Sequence, residues 1–362
     1  NQGRATTNEL AAKVEGLFDL NASLGHTYHA EIADGKWNHF MSQPRIGYTH
    51  WNNPPADTMP PIMINRPPPV ADMGVAVEGM APAWPQEGVG YALPRFHRYG
   101  QQERYIEVFN KGTEAFEFSA EASAPWIKLS SDSGTVKEGE RIDVSIDWEQ
   151  IPQGVSSGSI LVRGTGWGGA RIAVSAEKPA ASNLKGFIEA DGVVSIEAAN
   201  FSDRRDVEGY SWEIVPQLGR TDSSVSVFPI SDRVWEIPSE APYIEYDLTL
   251  FSTGKVTVNT LWAPTWPIMP DRGLRFAIAF DDEQPQIVDL HASREHNLWQ
   301  ESVRNGVHEA ATQHSIDTAG HHTLRIYQVD PAATLQKIII NTGGLKPSYL
   351  GPPESLHASD IH

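Results

Sequence analysis

Residues 26–55 read HTYHAEIADGKWNHFMSQPRIGYTHWNNPP and hold four histidines, two tryptophans and two tyrosines. Imidazoles titrate near neutral pH and ligate metals, while indoles offer large apolar faces with one polar edge. Such a stretch could build an active site or a docking surface. His26 and His29 could share a helical face, and His29 precedes Glu31. No third ligand lies in reach, so a structural role is the better reading. No metal and no other cofactor is expected.

Further along, GVSSG (154–158) has the Gly-x-Ser-x-Gly pattern, with Ser156 as the would-be nucleophile. That motif needs a strand before it and a helix after it. Here it follows Pro152 and leads straight into a β pattern, so a hairpin turn is expected. HEAATQH (308–314) places its histidines six apart, not the four that put two zinc ligands on one helical face. GTGWGG (164–169) joins two strands and lacks the Lys-Ser/Thr of a phosphate loop. The acidic DDE (281–283) closes a strand and reads as a solvated turn, with too few oxygen ligands for calcium.

Tryptophan is the residue type left over. Trp262 and Trp266 stand in LWAPTWPIMP, a proline-stiffened stretch between two β runs. Such a loop can hold an indole outward, as stacking on a sugar requires. It can also clamp the indole against a sandwich edge, because tryptophan is usually much buried. The same pair of readings applies to Trp37, Trp51, Trp84 and Trp299. Trp262 and Trp266 are the candidate carbohydrate-binding residues.

The elements that must position these residues fall into three parts. At 362 residues the chain can hold two or three cores. Residues 6–43 read as helical: Thr6 and Glu9 form a capping box, and Leu10, Val14, Leu17 and Phe18 share one face. A second helix is expected over 27–42. Two helices cannot cover this stripe, so residues 1–52 read as the end of a helical-bundle domain. The chain opens on Asn1 instead of Met, and more protein is expected before it. A second copy could also borrow the stripe, which makes a homodimer one expectation.

Residues 53–69 form a proline-rich linker, where helix and most strand pairing are forbidden. Alternating runs such as RYIEVFN (104–110) and ARIAVSA (170–176) then predict an Ig-like β-sandwich over 70–180. The polar break EKPAASNLK (177–185) precedes a second sandwich over 181–355, interrupted by a helix in REHNLWQESVRNG (294–306). The expected fold is thus mainly β, a helical remnant followed by two sandwiches.

Composition removes several function classes. A net charge of −18 repels a phosphate backbone, so neither nucleic acid nor an anionic membrane is an expected partner. The absence of cysteine excludes disulfides, thiolate zinc sites and cysteine nucleophiles. No run reaches the roughly 20 apolar residues of a membrane-spanning helix, and no signal-peptide pattern is visible.

GKWNHFMSQPRIGYTHWNNPPADTMP (35–60) resembles the end of the helical domain in xylan α-1,2-glucuronidases of glycoside hydrolase family 115. EADGVVSIEA (189–198), GHHTLRIYQVDP (320–331) and KPSYLGPPES (346–355) look like that family's C-terminal β domain. The resemblance implies a bacterial enzyme that removes glucuronic acid, often 4-O-methylated, from xylan with inversion. It implies a catalytic pocket in an upstream barrel-type domain, which becomes the expected partner together with glucuronoxylan or its oligosaccharides. It also implies a periplasmic or extracellular location. Inversion needs acid and base carboxylates about 6.5–9.5 Å apart, and the loops offer no convincing pair, so no catalytic residue is assigned. The opening stretch then reads as a docking surface, with Trp37, Tyr48 and Trp51 supplying packing area at the junction.

Overall fold

The computed structural model describes residues 2–47, 56–166, 168–180, 183–269, 272–292 and 296–361. It is mainly β, with a long helix near the start and a shorter one at His296–Asn305. The chain divides into two compact units. The first takes Asn1–Pro94, Glu103–Gln150 and Ser156–Ser175; the second takes Arg95–Gln102, Ile151–Val155 and Ala176–His362.

Helix Thr7–His26 opens the first unit. Thr6 makes no side-chain cap, because its backbone is already helical (φ −72, ψ −3) and not extended. Thr7 Oγ1 donates to the Arg4 carbonyl instead, at 2.8 Å. The expected capping box does not form. Nor does the second helix expected over 27–42. A wide turn at Thr27–Glu31 and a tight one at Ile32–Gly35 end the regular structure. Ala33, Asp34, Gly35, His39 and Met41 all have positive φ, a region that costs an L-residue roughly 1–2 kcal/mol and stops a right-handed helix. Among the described residues of Thr7–His26 only Ala11 is buried, and Leu10, Leu17 and Leu24 are each more than half exposed.

The rest of the first unit is built on two sheets. One runs Met73–Val77, Glu103–Asn110, Gly139–Ile146 and Ile127–Leu129 in spatial order. The other runs Tyr91–Ala92, Ala170–Lys178, Gly154–Arg163, Phe116–Ala122 and Ser133–Val136. Period-2 alternation sets which face is dry. Phe116, Phe118 and Ala120 are buried while Glu117, Ser119 and Glu121 between them face water.

The second unit is a sandwich of two six-stranded sheets. One runs Phe187–Ile188, Tyr243–Leu250, Gly320–Gln328, Arg275–Phe280 and Gln286–Asp289, with Asp203–Arg205 on Tyr243–Leu250. The other runs Ser211–Val215, Ser224–Phe228, Leu335–Asn341, Gly254–Trp262 and His308–Ile316, with Val193–Glu197 on Leu335–Asn341. Their inner faces meet in one core that includes Ile244, Tyr246, Leu248, Val258, Phe276, Ile326 and Ile338. Fully burying each such side chain contributes about 1.5–3 kcal/mol. Tyr246 is the polar exception, and its hydroxyl donates to the Ala198 carbonyl at 2.7 Å. Burial pushes that phenol well above its ordinary pKa, so it stays a neutral donor.

Candidate functional site

Strand Gly254–Trp262 ends in the loop that carries Trp266, between Pro264 and Pro267. Two contacts fix this loop. Thr265 Oγ1 donates to the Ala263 carbonyl at 3.2 Å, and the Thr265 carbonyl lies 2.8 Å from His291 Nε2. A carbonyl only accepts, so Nε2 carries a proton, and in the neutral imidazole the lone pair is then on Nδ1. The His291 backbone N–H donates to Asp289 Oδ1 at 2.9 Å, and the same oxygen accepts from Leu274 N at 3.0 Å.

Three rings meet there. Trp266 stands 4.4 Å from Trp299, centroid to centroid, with planes 69° apart. His291 lies 5.7 Å from Trp266 and 6.0 Å from Trp299. Trp299 belongs to helix His296–Asn305 and is half-buried, whereas Trp266 is 62% exposed. His308 sits 5.4 Å from the His291 ring and 3.2 Å from Ser302 Oγ. Burial lowers the His308 pKa and the neighbouring His291 lowers it further. Ser302 Oγ donates to the Leu298 carbonyl at 2.8 Å, so its proton is committed inside the helix and the Ser–His contact is no nucleophilic dyad.

Trp262, named with Trp266 as a sugar platform, is not one. It is fully buried, 4.2 Å from Phe276, and its Nε1–H donates to Thr260 Oγ1 at 2.8 Å. The alternation that turns Val256 and Val258 inward turns Trp262 inward as well. Of the docking candidates, Tyr48 and Trp51 lie outside the described residues. Trp37 is half-buried, 5.9 Å from the exposed Phe40, with the Lys36 ammonium 4.8 Å above its ring. Trp84 lines an open cleft of about 320 Å³ with Gln2, Gln86 and Lys111 in the first unit.

Among the described residues the buried carboxylates are all engaged. Glu197 meets the Lys337 ammonium at 2.8 Å, and both its oxygens accept from Thr221 Oγ1. Glu189 accepts from Phe251 N, Ser252 N, Ser252 Oγ and Thr342 Oγ1. Asp330 takes a bidentate pair from Arg275, Nε at 2.7 Å and Nη2 at 3.0 Å. Each of the three is thus held in place by the groups packed around it. Among the described residues no three His, Asp or Glu side chains come together as a metal site.

The remaining motifs resolve as strands or clamps. Ser156 lies within strand Gly154–Arg163, with no elbow and no helix following. His308 and His314 open and nearly close strand His308–Ile316, roughly 20 Å apart at strand rise. The DDE segment is not simply solvated. Asp281 Oδ2 holds His322 Nδ1 at 2.8 Å, and Glu283 Oε2 holds His314 Nδ1 at 2.7 Å. Both imidazoles stand edge-on to Phe280, so the acidic turn ties the two sheets together.

Residues 186–354 match the family model of the glycosyl hydrolase family 115 C-terminal domain. The matched segment coincides with most of the second unit. Among solved structures, a family GH115 4-O-methyl-α-glucuronidase with specificity for decorated arabinogalactans is similar at 17% identity and a TM-score of 0.33, over 46% of this chain. The match spans only 19% of that enzyme's length. The C-terminal CBM6 of a laminarinase from Zobellia galactanivorans is similar at 13% identity, TM-score 0.27, over 41% of this chain and 98% of its own. A family 35 carbohydrate-binding module from Clostridium thermocellum is similar at 12% identity, TM-score 0.28, over 41% of this chain and 96% of its own. No curated protein sequence matches.

Proposed function

We propose that this chain is the non-catalytic C-terminal portion of a family 115 α-glucuronidase. The whole enzyme would hydrolyse glucuronic acid or its 4-O-methyl ether from glucuronoxylan with inversion, in the periplasm or outside the cell. The observation that carries this reading is the family match over 186–354. The engagement of Glu189, Glu197 and Asp330 with neighbouring protein groups fits a structural role for each. The chain would serve docking, stability or assembly. Trp37, Tyr48 and Trp51 would face the upstream catalytic domain, and a second copy on the exposed leucines of Thr7–His26 is an alternative way to cover them.

The test is turnover. Purified chain incubated with glucuronoxylan, and separately with decorated arabinogalactan, is expected to release no glucuronic acid. Release abolished by replacing a loop carboxylate would overturn the proposal. A second reading, carbohydrate binding by the second unit, is favoured by one observation: Trp266 leaves 62% of its surface in water.

A further inference from the structure

We propose that Trp266, Trp299 and His291 form a subsite for one neutral pyranose ring of a glycan backbone. The inference rests on the carbohydrate-binding reading of the second unit and gives it residues and a ligand class. An exposed indole is common enough alone; this one is held. Prolines flank it, and the Thr265 carbonyl one residue before it is tied to His291 Nε2 at 2.8 Å. Rigid aromatic side chains that lose little freedom on binding make the most effective contact surfaces.

Geometry selects the ligand. Two indole planes 69° apart with centroids 4.4 Å apart make a corner, one ring set against the side of the other. A pyranose is a disc with apolar C–H faces and a rim of hydroxyls. One face can lie on Trp266 while the rim meets Trp299 and His291. His291 Nε2 is already a donor to protein, so its Nδ1 lone pair is the acceptor available to a sugar hydroxyl. Burial lowers the pKa of His308 behind it, so that ring is neutral at pH 7 and places no cation beside His291.

Charge decides between sugars. Among the described residues the corner is built from two indoles and an imidazole, and no guanidinium or ammonium stands over either indole. The chain as a whole carries −18. A uronic acid would enter with an uncompensated charge, whereas a neutral backbone residue would not. The subsite thus takes the polymer, not the side group that the whole enzyme would remove.

The experiment is affinity electrophoresis through unsubstituted xylan and neutral arabinogalactan, with tryptophan fluorescence titrations by their oligosaccharides. Retardation in at least one gel and a fluorescence change are expected. Trp266→Ala should weaken binding by about 30-fold or more, as truncation of an aromatic anchor does. Its melting temperature should stay unchanged, because the side chain is mostly in water. Free glucuronic acid should neither bind nor compete. Ile268→Ser, which removes a neighbouring exposed aliphatic, should leave glycan binding intact. Failure of every neutral glycan to bind, binding that survives Trp266→Ala, or equal competition by glucuronic acid would each overturn the subsite. So would capture of an upstream catalytic polypeptide that needs both Trp266 and Ile268 and occurs without any glycan binding. Release of glucuronic acid by the chain alone would remove the proposed non-catalytic role and leave the subsite standing.

Discussion

Lys337 and Glu197 are almost wholly removed from water and meet at 2.8 Å inside the second unit. A buried pair of this kind gives little net stability, but breaking it leaves one charge stranded. Lys337→Met is therefore expected to cost about 3–5 kcal/mol in chemical denaturation. Adding Glu197→Leu should recover most of that loss, and a double mutant no better than the single would show that the pair is not the source. His308 gives a pH signature. Burial, then His291, holds its folded pKa below the ordinary value, so the unfolded chain takes up a proton first as pH falls. Its contribution to stability is present above the unfolded pKa of about 6.5 and is lost as pH drops towards the folded value. The denaturation midpoint should fall between pH 7 and 5, and His308→Gln should flatten that fall. The strand that ends at Trp262 was legible in GKVTVNTLW, but the burial of Trp262 was not, because Thr260, Leu261 and Trp262 are all buried where the alternation ends. Trp266 lies beyond the strand, where alternation carries no information. His291 was invisible in sequence because its partners, Thr265 and Trp299, come from other elements.

Helix Thr7–His26 presents Leu10, Leu17 and Leu24 to water at 61%, 55% and 60% exposure. Leucines left in water add nothing to the folded state relative to the unfolded one. The triple change Leu10→Glu, Leu17→Glu, Leu24→Glu should shift stability by no more than about 0.5 kcal/mol, the usual range for surface substitutions. Its solubility should rise. Backbone amides of residues 11–24 should exchange well before those of Tyr243–Leu250 in the second core, and matching protection would show the helix to be covered in solution. Elements with a strong hydrophobic period were readable: Glu103–Asn110 and Ala170–Lys178 fall close to the alternating runs RYIEVFN and ARIAVSA. Strand His308–Ile316 was not, because HEAATQHSI alternates in size and burial without a hydrophobic signal. The helix expected over 27–42 failed for a local reason. Asp34 and Gly35 readily accept the left-handed region, and the turn they make outranks the apolar spacing of Ile32 and Phe40.

At the scale of the whole chain, the polar stretch 177–185 is the expected place for a protease to nick. Two resistant products are expected, and they should elute together on gel filtration until denaturant is added. The reason is the composition of the second unit, which claims Arg95–Gln102 from well before the cut. Across that cut, Tyr99 stacks on Phe251 with rings 5.7 Å apart and 19° from parallel, and the His97 ring lies 6.0 Å from the same phenyl. Products that separate in native buffer would show those contacts to be dispensable. During synthesis, residues 95–102 emerge from the ribosome long before Phe251, and Tyr99 must wait for the ring it will stack on. Closing so long a loop is slow, which makes this clip a late step of assembly. A truncated chain begun near residue 183 would skip that wait, but would carry a bare Phe251 into solution and invite aggregation there.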